Sequence, residues 1–173
     1  MKQSTTPDSP SINRLALLSL AGASIEWYDF FLYGVGAALV FPALFFPKTL
    51  PHNIALIASF STFAVGFMAR PIGALVFGHV GDRVGRKSAL AIAMIMMGSA
   101  TTLIACLPSY ASIGVAAPLA LVVLRFVQGL AIGGQWGGAM LLLVESAPPG
   151  KRGFYGSIAQ TGVPIGVVTA NVA

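Results

Sequence analysis

The chain has 173 residues, 56% of them hydrophobic and 9% charged, with a mean hydropathy of +0.84. A soluble domain needs about 25% charged residues to wet its surface, and disorder needs low hydrophobicity, so ten basic and five acidic side chains exclude both. One cysteine excludes a disulfide framework or Cys-based zinc site, and a net charge of +5 scattered among long apolar runs points to a bilayer rather than to nucleic acid.

A helix crosses the roughly 30 Å hydrocarbon core with about 20 apolar residues. Residues 1–13 read as a disordered cytoplasmic tail, without the apolar stretch and cleavage site of a signal peptide. Residues 14–173 read as one all-α membrane domain with spans at about 15–46, 53–77, 89–107, 113–144 and 154–173. Two prolines bracket the turn from Pro47 to His52, a basic connection covers His79 to Ser88, and Ala147 to Gly153 is a loop. Pro108 to Ser112 is the one polar break between the third and fourth spans. With the N-terminus inside, Lys2, Arg14, Arg83, Arg86, Lys87, Lys151 and Arg152 are cytoplasmic, and Lys48 alone faces outward. The expected location is therefore a cytoplasmic (inner) membrane, crossed several times.

The most ordered stretch is Gly78-His79-Val80-Gly81-Asp82-Arg83-Val84-Gly85-Arg86-Lys87-Ser88-Ala89-Leu90. A positive-inside loop explains its basic residues but not the G-x-x-x-D-R-x-G-R-K-x-x-L order. It resembles the signature loop of the major facilitator superfamily, and it lies where that loop lies, between spans 2 and 3. The resemblance implies a cytoplasmic gate of Gly78, Asp82, Arg83, Gly85, Arg86 and Lys87, with Glu145 at the end of span 4 and Arg152 beyond it. Asp82, Arg86 and Glu145 would form its latch. Glu26-Trp27-Tyr28-Asp29-Phe30-Phe31-Leu32-Tyr33-Gly34, Ala69-Arg70-Pro71-Ile72-Gly73, Arg125-Phe126-Val127-Gln128-Gly129 and Gly133-Gly134-Gln135-Trp136-Gly137-Gly138 are similar to the metabolite:proton symporter branch. That implies an N-terminal helical bundle of the major facilitator fold, truncated before a sixth span. Its partners would be a small organic metabolite (a carboxylate or zwitterion), a proton, the lipid bilayer and a missing C-terminal half. The proton gradient would drive it, with no bound cofactor and no enzymatic reaction.

Four ionisable residues lie within spans, and such residues usually face a polar cavity on a transport path. Gly22, Glu26, Asp29 and Tyr33 share one helical stripe. A rise of about 1.5 Å per residue sets Asp29 near the depth of Arg125 and Glu26 near that of Arg70, which suggests two ion pairs. A proton-coupling carboxylate needs a shiftable affinity: burial disfavours its charge and a guanidinium favours it. Asp29 and Glu26 are the candidates, against the alternative of fixed pairs orienting helices. Arg125 and Arg70 are candidates for a substrate carboxylate, which a guanidinium grips as a fork. Gln128, Gln135 and Gln160, with Asn171, either bind substrate or join helices. Tyr33, Tyr28 and Trp136 are candidate cavity walls, and Trp27 a packing residue. Gly129, Gly133 and Gly137 have the spacing of close helix contacts, as do Gly162 and Gly166 around Pro164. The chain alone is expected not to transport. The other readings are a non-transporting remnant or membrane interaction partner, and a uniporter or antiporter of the same fold.

Overall fold

The computed structural model describes residues 12–172, so nearly all of the tail expected at 1–13 lies outside the described residues. The ordered elements are helices throughout: α1 (Ile12–Leu39), α2 (Phe41–Leu44), α3 (His52–Val84), α4 (Arg86–Ala105), α5 (Tyr110–Ile113), α6 (Ala116–Ser146), α7 (Arg152–Gln160) and α8 (Gly162–Val172). Among the described residues α1, α3, α4 and α6 are long and apolar enough to cross a membrane.

Prolines divide two of the five expected spans, the first and the fifth. The first does not run unbroken to residue 46, because α1 stops at Leu39 and Pro42 occupies the opening turn of α2. A proline there lacks only an N–H that would be unpaired anyway. The fifth span appears as α7 and α8, offset at Thr161. Pro164 has no N–H to give the carbonyl four residues back. Pro71, by contrast, is accommodated inside α3.

The basic connection expected at 79–88 is almost wholly helical. Helix α3 continues to Val84 and α4 begins at Arg86, leaving Gly85 alone between them. Its φ of 95° and ψ of 141° are tolerable only without a side chain. At 33 residues, α3 is about 50 Å long, well beyond the roughly 30 Å of hydrocarbon. Its end therefore carries Asp82 and Arg83 out of the apolar layer.

The bundle is small-residue inside and large-residue outside, as expected where lipid replaces water. Ala37, Ala69, Ala93, Ala117 and Ala131 are buried, while Leu39, Met68, Leu75 and Ile95 face outward. Two helix pairs meet through glycines. A Cβ at Gly129 or Gly133 of α6 would collide with the carbonyl oxygens of Gly66 and Arg70 in α3, and one at Gly73 with that of Leu130. In the second pair, Gly162 and Gly166 of α8 lie against Ala23, Ser24, Trp27 and Tyr28 of α1. Helix α4 covers a further flank of α6.

Gly137 shares the sequence spacing but faces open space. Gly133→Ala is therefore expected to destabilise the bundle by about 1–3 kcal/mol, the cost of overpacking. Gly137→Ala is expected to be neutral or slightly stabilising, since alanine favours a helix over glycine. Reversible unfolding of both variants in mixed micelles checks the contrast.

Candidate functional site

The intramembrane charges meet at the centre of the bundle, though not as two direct ion pairs. Arg125 on α6 is 2% exposed and Gln128, one turn on, is 1% exposed. Arg125 Nη1 donates to Gln128 Oε1 at 2.7 Å. The Gln128 amide then donates from Nε2 to Asp29 Oδ2 of α1 at 3.2 Å, and to Thr101 Oγ1 of α4 at 2.7 Å. Thr101 Oγ1 in turn reaches Asp29 Oδ1 at 3.2 Å. The expected contact of Asp29 with Arg125 is thus corrected to a relay through a neutral amide. Depth placed the two residues together correctly, but the Gln128 side chain fills the space between them.

Aromatic rings take the place of a carboxylate beside Arg125. Its guanidinium carbon lies 3.7 Å from the centre of the Tyr33 ring and 5.0 Å from that of Phe63. A cation over a desolvated aromatic face gains about 2 kcal/mol, which offsets part of the cost of burial. Tyr33 cannot swing away freely, since its hydroxyl is 2.7 Å from that of Thr62. It therefore underlies Arg125 and is not an open cavity wall. Gly66 leaves room here, because a Cβ would stand 3.0 Å from Arg125 Nε and press the guanidinium out of place. That Nε has no hydrogen-bond partner.

Glu26 and Arg70 do not make the expected ion pair either. Among the described residues Arg86–Glu145 is the one pair within 4.0 Å. Arg70, half-buried on α3, lies over Phe67 at 4.3 Å and Phe30 at 5.1 Å, with its Nε unpartnered. Glu26 is 6% exposed and borders a cavity of about 270 Å³ between α1, α4 and α6. Gln135, Trp136, Gln160 and Lys87 also border it. Asp29, Tyr28 and Thr101 border an adjoining cavity of about 290 Å³. Gly22, Met94 and Gln135 are common to both, and the Gln135 Oε1 is buried without a partner.

The residues expected to form the gate are at the end of the bundle where α3 turns into α4. Arg86 Nη1 meets Glu145 Oε1 at 2.7 Å, tying the first residue of α4 to the last turn of α6. Each charge stands at the helix end that its own dipole disfavours, so the pair offsets two local penalties. Asp82 forms no ion pair among the described residues and instead borders a hollow with Gly78, Arg86 and Gly133. The expected three-member latch is reduced to two. Arg83, Lys87 and Arg152 are exposed. Both partners of the pair are about half exposed, so Glu145→Gln is expected to change stability by less than about 1 kcal/mol. Unfolding of the variant beside the parent measures it.

Thr101, Thr62, Phe63 and Phe67 were not among the residues singled out by sequence, and Phe30 was named only within a motif. A hydroxyl in an otherwise uncharged apolar run was the available signal for the threonines.

The profile of the "Sugar (and other) transporter" family matches residues 15–173. The chain belongs to this family, within the major facilitator superfamily. It is 51% identical over 170 residues to the inner membrane metabolite transport protein YhjE of Escherichia coli K12, covering 98% of this chain and 38% of the relative. It is 52% identical to the shikimate transporter of the same organism, covering 95% and 39% respectively. The proline/betaine transporter of Salmonella typhimurium LT2 is 38% identical, over 95% of this chain and 32% of its own length. The chain thus spans less than two-fifths of the length of these relatives. No solved structure matches it. As a transporter-family bundle, it is an incomplete N-terminal part of the major facilitator fold.

Proposed function

We propose that these helices form the proton-coupling part of a secondary transporter that carries a small polar metabolite together with a proton. The observation that carries this reading is the buried relay from Arg125 through Gln128 to Asp29. It sets a titratable carboxylate and a buried cation in electrostatic contact through a side chain that is itself buried. Ionised Asp29 is then the counterion of Arg125 at one remove. An anionic substrate engaging Arg125 competes for that role, and a proton on Asp29 removes the competitor. Proton and substrate carboxylate accordingly favour each other's binding, which is the thermodynamic requirement for symport. Arg70, partly accessible and flanked by Phe30 and Phe67, offers a second guanidinium to the carboxylate of a ring-bearing or zwitterionic solute. Glu26 is the alternative proton carrier.

The relatives named for shikimate and for proline and betaine support a carboxylate or zwitterion, and the inner membrane relative supports that location. The cytoplasmic placement of the N-terminus rests on Arg14, Arg83, Arg86, Lys87, Lys151 and Arg152 all lying at helix ends that alternation puts on one side. The test uses the protein as its host cell makes it, in proteoliposomes with an inward proton gradient and labelled shikimate, proline and betaine. Accumulation of at least one that collapses with a protonophore supports the reading. Uptake that ignores the protonophore, or uptake of none of the three, overturns it.

A further inference from the structure

Thr101 is the contribution of α4 to the relay. Its single hydroxyl proton has two acceptors in reach, Asp29 Oδ1 at 3.2 Å and the carbonyl of Met97, one turn back in its own helix, at 3.1 Å. Its oxygen accepts from Gln128 Nε2 at 2.7 Å. Gln128 cannot reverse its amide, because Arg125 Nη1 holds the Oε1 side and a guanidinium has no acceptor to offer the other way. The amide therefore always presents donors to Asp29 and Thr101, and Thr101 alone can change direction. Resting on the reading of Asp29 as the proton carrier, we propose that Thr101 is the positioning residue for the two charge states of that carboxylate: its hydroxyl is given to Asp29 while Asp29 is ionised and to Met97 once Asp29 holds the proton.

The exchange balances without moving a heavy atom. A proton from water in the cavity that Asp29 and Thr101 share converts the carboxylate to a carboxylic acid. The new O–H needs an acceptor, and the second lone pair of Thr101 Oγ1 supplies it. The threonine proton then turns to the Met97 carbonyl. Both states keep the donors of Thr101, Gln128 and Asp29 paired, as buried polar groups require. The other titratable or charged groups around Asp29 are Glu26, Tyr28 and Tyr33 on α1 and Arg125 on α6, with Arg70 of α3 facing Glu26. Over the stretch beside Asp29, α4 brings a hydroxyl and no charge. Helix α8, packed on another flank of α1, has no titratable side chain. A substitution at Thr101 thus alters the hydrogen bonding of Asp29 without altering the surrounding charges.

The test is an infrared pH titration of protonated carboxyl groups in the protein as its host cell makes it, reconstituted in membranes, with Glu26→Gln to remove the neighbouring buried carboxyl. The band is identified by its loss in Asp29→Asn. Thr101→Val is expected to move its midpoint about one pH unit to the alkaline side, because the bond lost from the ionised carboxylate is stronger than the one lost from the neutral acid, and to change its frequency. Thr101→Ala repeats the deletion if valine disturbs folding, and Thr101→Ser is expected to match the parent. An unchanged midpoint and frequency in the hydroxyl-free variants overturns the proposal, as does a serine variant shifted as far as valine. A shifted band in a protein whose uptake ignores pH upholds the role of Thr101 and overturns the reading of Asp29 as the coupling group.

Discussion

Asp29→Asn is expected to abolish accumulation driven by a proton gradient while leaving exchange of labelled for unlabelled solute. A gradient of one pH unit is worth about 1.4 kcal/mol, so one proton per solute sustains roughly tenfold accumulation. Asparagine has nearly the same shape and accepts the Gln128 amide through its own oxygen, but carries no exchangeable charge. Helix packing around α1 is then preserved and only the coupling is lost. Uptake and counterflow in proteoliposomes separate the two. Accumulation that persists at the parent level in the variant excludes Asp29 and moves the role to Glu26, the buried carboxylate one turn back on the same helix.

Arg125→Lys is expected to lower solute affinity by roughly 30- to 100-fold even though the positive charge is kept. The guanidinium is held by three features that an ammonium lacks: a plane against Tyr33, a flank near Phe63, and a fixed N–H aimed at Gln128. Lysine is a strongly hydrated point charge, and the hydrogen bonds of a buried charged group are each worth about 1.5–3 kcal/mol. Binding of labelled solute, measured beside thermal unfolding of the same sample, distinguishes this from a packing defect. Lost affinity at unchanged stability is the expected result. Equal loss of both would assign Arg125 to helix orientation alone.

Much of the architecture was legible because membrane folding is dominated by one requirement, about 20 apolar residues per crossing. The uncharged run from Ala89 to Leu124 had to hold a reversal, and it does, around Pro108 and the short α5. Helix ends were less legible. Charge alone made residues 79–88 look like a loop, yet a long helix can carry charged residues beyond the lipid, and a single positive-φ glycine turns the chain. The glycine spacing foretold close contact at Gly129 and Gly133 but also pointed to Gly137, because spacing does not tell which turn of a helix still faces its partner.

The site was legible as a set of residue types and depths. Rise per residue brought Asp29 near Arg125, but it could not show that Gln128 stands between them or that Tyr33 lies beneath the guanidinium. Those details depend on side-chain direction. Thr101 escaped notice because a threonine in an apolar helix normally bonds to its own backbone, as this one also does toward Met97.

The most direct measurement of the coupling scheme is proton uptake on solute binding, read with a pH-sensitive dye in weakly buffered micelles. The solute is whichever of shikimate, proline or betaine the proteoliposomes take up. The scheme predicts that binding draws protons from solution in the parent and draws none in Asp29→Asn. Equal proton uptake by parent and variant would contradict it.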